Sequence, residues 1–145
     1  SEMARFFDMT PRVAMLSFSN FGSSRHPETE KVAEAARIAR ACQPQLAIDG
    51  EMQADTALVE EILNGAFAFN RLQQPANVLI FPGLAAGNIA YKLVDRLGAA
   101  KSVGPLLMGI SKPFNVLQRD TDMENVVNVI AITVAQAQNH SNKTD

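Results

Sequence analysis

Lys112 and Arg119 put two cations on one short segment, GISKPFNVLQRDT from Gly109 to Thr121, with Asn115 and Gln118 between them. Such a set suits a phosphate or a coenzyme pyrophosphate, which the arginine grips with a planar fork and the lysine as a point charge. Thr121 and Glu124 read as a T-x-x-E capping box opening a helix, whose free amides would add to the attraction. The same residues equally describe a basic loop in solvent. A second candidate is SFSNFGSSRH, Ser17 to His26, where Gly22 with Ser19, Ser23 and Ser24 could turn amides and hydroxyls toward an anion. A Gly-Ser turn that merely joins a strand to a helix is the commoner use of that composition. FPGLAAGN, Phe81 to Asn88, carries Gly83 and Gly87 with the same ambiguity. Neither the P-loop lysine pattern nor GxGxxG occurs, which excludes a Walker site and a dinucleotide fingerprint.

The acids Asp49, Glu51 and Asp55 in DGEMQAD lack a histidine and the EF-hand spacing, and Asp55 stands where an N-cap is expected. They read as structural, not as a metal site. His26 and His140 lie far apart in the chain and read as surface residues. The lone Cys42 cannot form an intramolecular disulfide; within a helical pattern it is expected to be a buried thiol acting as a small hydrophobe.

These segments need elements to carry them. Four apolar runs, Val13 to Phe18, Leu46 to Ile48, Val78 to Phe81 and Leu106 to Ile110, predict strands, and each is followed by a helical pattern. The helices are expected over Glu30 to Cys42, Asp55 to Leu63, Asn88 to Leu97 and Met123 to Gln138, after a leading helix from Glu2 to Phe7. That alternation implies βαβ units and a parallel sheet with right-handed crossovers. Apolar positions recur every three to four residues, as Val32, Ala35, Ala36 and Ala39, and as Ile89, Leu93, Val94 and Leu97, which predicts core stripes. In an open parallel sheet ligands bind beyond the carboxyl ends of the strands, which is where the four candidate loops fall.

The chain has 145 residues, 47% of them apolar and 19% charged, with a formal charge of −2. This is ordinary globular composition for one domain, expected over residues 1–138 with a disordered polar tail over 139–145. No lysine or arginine run exists to neutralise a line of phosphates, so nucleic acid is not expected as a partner. The apolar stretches fall short of the ~20 residues that span a bilayer, and no signal peptide is seen, so cytoplasm is the expected compartment. The chain begins Ser1-Glu2-Met3, which suggests either residues added for expression or a segment excised from a longer protein.

Five stretches together resemble the phosphate acetyltransferase and butyryltransferase family: VAMLSFSNFGSS (Val13 to Ser24), DGEMQADTAL (Asp49 to Leu58), ANVLIFPGLAAGNIAYKLVDRLG (Ala76 to Gly98), GPLLMGISKPFNVLQR (Gly104 to Arg119) and VVNVIAITVAQAQ (Val126 to Gln138). They span nearly the whole chain in family order and cover the carboxyl-terminal part of the transferase unit. The resemblance implies an α/β three-layer sandwich with a mainly parallel sheet, of the phosphotransacetylase (isocitrate/isopropylmalate dehydrogenase-like) type. It also implies transfer of an acetyl group between coenzyme A and phosphate.

The family's fourth loop reads KP-x-ND-L-SRG-C, with a serine that helps stabilise the reacting groups and, further on, an aspartate thought to act as base on the coenzyme thiol. Lys112, Pro113, Asn115, Leu117 and Arg119 match, and Arg96 falls on the family's other substrate-side arginine. Gln118 replaces the serine and Asn125 the aspartate, while Val116 and Asp120 also depart. An amide has no useful basicity, and loss of a positioned base costs roughly 10²- to 10⁴-fold. The resemblance therefore implies a site without catalytic residues that still holds its ligand through Ser19, Ser23, Ser24, Arg96, Lys112, Asn115 and Arg119.

SNFGSS with a degenerate fourth loop further resembles the transferase-like tail of bacterial NADP-dependent malic enzymes, which convert malate to pyruvate and carbon dioxide. On that resemblance the chain is a regulatory module for acetyl-CoA, itself without a resident cofactor, and NADP and Mg or Mn belong to upstream malic-enzyme domains. A working acyltransferase and a purely oligomer-building module are the alternatives. Met123 to Gln138 carries apolar residues over more than one face, and an expected unpaired sheet edge adds to it, so a homo-oligomer is expected.

Overall fold

The computed structural model describes residues 1–98, 100–119 and 121–141. It falls into two units, Ser1–Tyr91 and Lys92–Asp145, with the division inside a helix.

In the first unit α1 (Glu2–Phe6) leads into β1 (Arg12–Leu16), α2 (Pro27–Cys42), β2 (Ala47–Met52), α3 (Ala54–Leu58), α4 (Glu60–Ala66) and β3 (Val78–Ile80), and α5 (Leu84–Leu97) begins there. The sheet is parallel, in the order β2-β1-β3. The α/β class and the parallel sheet are thus as the sequence implies. α2 starts earlier than expected because Pro27 supplies a pre-set φ in its first turn and His26 caps it, Nδ1 accepting the Glu28 amide at 3.2 Å. It packs on β2 and β1, burying Val32 and Ala36 of the expected stripe. Ala14, Leu16, Met52, Ala57, Leu63, Leu72 and Ala76 form a buried apolar cluster between the strands, α3, α4 and the chain that follows α4.

Several expectations are corrected. β2 runs on to Met52, so Asp49 and Glu51 lie inside a strand and are buried. Their charges are met locally: Asp49 accepts from Arg40 at 2.7 Å and from the Arg71 amide at 2.7 Å. The single helix expected from Asp55 to Leu63 is broken at the β-branched Val59, whose backbone is extended (φ −107°, ψ 114°). Asp55 is no N-cap; Gln53 takes that place. α5 opens at Leu84, which puts Gly87 in its first turn and shortens the third loop. Its stripe of Ile89, Leu93, Val94 and Leu97 is exposed, not core. Cys42 is exposed as well, since it ends α2 on the outer side.

The second unit contains the rest of α5 and α6 (Met123–Ser141), joined by an irregular segment. Leu106 to Ile110 forms no strand among the described residues, because no neighbouring strand there satisfies its amides. α6 continues past Gln138 to Ser141, so residues 139–141 are helical; residues 142–145 and the side chains of His140 and Ser141 lie outside the described residues. Its cap is Asp122, whose carboxylate accepts the Asn125 amide at 2.8 Å, while Thr121 turns back to the Gln118 carbonyl at 2.8 Å. The capping box expected from Thr121 and Glu124 is not formed. Among the described residues no helix is long and apolar enough to cross a membrane.

Candidate functional site

The first loop leaves β1 at its carboxyl end, the end at which ligands of parallel sheets bind. It is tied along its length to the end of β2. The Ser17 amide donates to the Met52 carbonyl (2.9 Å), and the Phe21 amide to the Glu51 carbonyl (2.8 Å). The Gln53 amide donates to Asn20 Oδ1 (2.8 Å). Of the serines expected to hold a ligand, Ser19 is completely buried; its hydroxyl donates to Glu51 Oε1 at 2.9 Å and accepts the Ser24 amide at 3.1 Å. Ser23 Oγ lies 3.2 Å from Ser19 Oγ and accepts the Asn20 amide at 3.0 Å. The structure thus brings Ser19, Ser23 and Ser24 together, around the chain's own carboxylate. Phe21, Phe67 and Phe69 meet beside the loop, with ring centroids 5.0 to 6.1 Å apart.

The remaining expected residues lie in the second unit. Lys112, Gln118 and Arg119 are exposed. Arg96 is also exposed, 82% of its side chain being open, with Asp95 3.8 Å away. The Asp95 carboxyl is held below its usual range chiefly by the hydrogen bond from Ser102, at 2.7 Å. Asn115 is different in kind: Oδ1 accepts the Leu107 amide at 2.8 Å and Nδ2 donates to Thr133 Oγ1 at 2.8 Å, so it fastens the loop to α6. Asn125, at the position of the expected base, clasps Gly104 with both ends of its amide. Oδ1 accepts from the Gly104 nitrogen and Nδ2 donates to the Gly104 oxygen, each at 3.3 Å.

Among the described residues no group of three or more His, Cys, Asp or Glu side chains gathers as a metal centre would. A cavity of roughly 350 Å³ opens at the opposite, amino-terminal ends of β1 and β2, between Arg5, Asp8 and Gln45. Sequence reasoning missed two functional details. Glu51 supplies the anion of the first loop, and Asn115 and Asn125 act as clasps; the only signal for the former was the Asp-Gly-Glu run on a short apolar strand.

The fold defines an α/β protein built on a parallel sheet, with its candidate loops at the carboxyl ends of the strands. The chain belongs to the phosphate acetyl/butaryl transferase family, whose model matches residues 1–134. It is 48% identical to a phosphate acetyltransferase of Bacillus subtilis over 92% of this chain and 42% of that protein. It is 42% identical to an NADP-dependent malic enzyme of Escherichia coli over 95% of this chain and 18% of that protein. A phosphotransacetylase structure from Staphylococcus aureus superposes with a TM-score of 0.88 at 43% identity, covering 94% of this chain and 42% of that one. The chain thus spans less than half the length of these relatives.

Proposed function

We propose that the chain is a catalytically degenerate phosphotransacetylase-like regulatory module of an NADP-dependent malic enzyme, and that it senses acetyl-CoA. The observation that carries this reading is Asn125. A base must offer a free lone pair to a proton, and this side chain is an amide whose donor and acceptor are both engaged with Gly104. Gln118 adds a second amide where the resemblance calls for a serine. Lys112, Arg96 and Arg119 stay exposed and charged, which keeps phosphate recognition without turnover.

Identity alone does not separate this reading from a working acyltransferase, since relatives carrying the transferase name are 41 to 49% identical and the malic enzyme 42%. The amide side chains of Gln118 and Asn125 favour the sensor. NADP and the divalent metal would be held by domains outside this chain, and the parent would work in the cytoplasm. Homo-oligomer formation is part of the same proposal, supported by the exposed apolar stripe of α6 at Met123, Val127, Ile130 and Val134.

The test is acetyl phosphate formation from acetyl-CoA and phosphate by the full protein. Turnover near background supports the proposal; a rate typical of an acyltransferase overturns it. Titrating acetyl-CoA against malate oxidation separates a sensor, which responds, from a purely architectural module, which does not.

A further inference from the structure

Between Met15 and Leu16 the register of β1 on β2 jumps, from Met15 opposite Gly50 to Leu16 opposite Met52, so Glu51 is the residue left over. A bulge of this kind re-aims the side chain it carries. Gly50 makes it possible: its φ is +135°, and a Cβ there would lie 2.5 Å from the Met15 carbonyl oxygen. The re-aimed Glu51 is 3% exposed and takes two donors on one oxygen, the Ser19 hydroxyl at 2.9 Å and the Gly22 amide at 2.6 Å. Its carbonyl takes the preceding amide, that of Phe21. Phe21 has φ 48° and Gly22 φ 85°. A bulky residue in the left-handed region is uncommon and needs an external hold.

We propose that the first loop is an anion niche whose resident anion is Glu51 of the same chain, delivered by the bulge, and that Glu51 is the positioning residue of the loop. The carboxylate fixes the two left-handed residues, and through Ser19 it fixes the Ser24 amide. With Glu51 Oε1 filling it, the niche is closed to an external anion. This inference is independent of what the protein catalyses or senses.

Two variants of the full protein test it. Glu51→Gln keeps the shape and removes the charge; because charge-assisted bonds are roughly twice as strong as neutral ones, the Gly22 amide should exchange its hydrogen about fivefold faster or more. Glu51→Ala deletes the atoms of an acetate ion, so sodium acetate should raise its melting temperature. Neutral acetamide and sodium chloride at equal ionic strength should not, and acetate should leave the unaltered protein unmoved. A side chain that only filled space would be replaced as well by acetamide. Wild-type exchange at Gly22 in the glutamine variant, or acetate acting no better than acetamide, overturns the proposal. Should the alanine variant fail to fold, the exchange measurement decides alone.

Discussion

Replacing Asn125 by aspartate puts back the residue type that the family resemblance expects and should destabilise this chain. At neutral pH the carboxylate still accepts from the Gly104 nitrogen, but it cannot donate to the Gly104 oxygen and sets negative charge against it, at a present separation of 3.3 Å. The loss of one net hydrogen bond is worth about 0.5–1.5 kcal/mol, and unsatisfied polar atoms in a half-buried place add to it, so ~1–2 kcal/mol is expected. For a chain of this size that lowers the melting temperature by roughly 2–8 °C. The sign with pH follows from the contact. Once protonated, the introduced carboxyl regains a donor for Gly104, so its folded pKa is raised and the deficit shrinks as pH falls through that value. Asn125→Ala, which loses both bonds, should show a deficit without this pH dependence. Thermal melts of the three proteins across the acid range check this; an aspartate variant at least as stable as the unaltered protein at neutral pH would refute the clasp.

Three further outcomes are expected. Gly50→Ala forces a Cβ to within 2.5 Å of the Met15 carbonyl at φ +135° and should cost ~3 kcal/mol or more, seen as a lower urea midpoint; a midpoint within error of the unaltered one would contradict the bulge geometry. Arg119→Ala should remove the response of malate oxidation to acetyl-CoA and leave the basal rate alone, because a charge-assisted bond is worth ~1.5–3 kcal/mol against ~0.2–1 for a surface pair; unchanged sensitivity rules Arg119 out as a ligand contact. Ile130→Asp, on the exposed stripe of α6, should reduce the oligomer size read by light scattering, and a folded variant of unchanged size would count against that face.

The sheet was legible because its strands are apolar runs between turn residues, and α2 because its apolar positions keep helical spacing. What escaped lies where polar residues are buried. β2 carries Asp49 and Glu51 facing protein, and their partners, Arg40 and the Arg71 amide for the first and the Ser19 to Ser24 loop for the second, make that tolerable. A linear reading cannot see partners so far along the chain, so it ended the strand at Ile48 and gave the acids to a loop. Leu106 to Ile110 failed in the opposite direction: its composition suits a strand, but strand formation needs a neighbour. The stripe of α5 has the periodicity of a core face yet stays open, since periodicity marks a face that can be covered and does not supply the cover.

The candidate site divides along the same line. Residue types that act by charge at a surface, Lys112, Arg96 and Arg119, lie exposed, as a reading from type alone would put them. Residue types that can both donate and accept were harder to assign, because serine and asparagine serve a ligand or the backbone with the same atoms. Here the chain itself has them: Ser19 is spent on the Glu51 carboxylate and the Ser24 amide, Asn115 on the Leu107 amide and the Thr133 hydroxyl, and Asn125 on the Gly104 backbone. An aspartate at this last position could make only half of the present clasp. On the proposed reading, in which this position transfers no proton, an amide there gains a bond that a carboxylate would lack. If the proposed reading holds, Gln118→Ser with Asn125→Asp alone should not give acyl transfer at a normal rate, because the Gly104 turn must also find another donor.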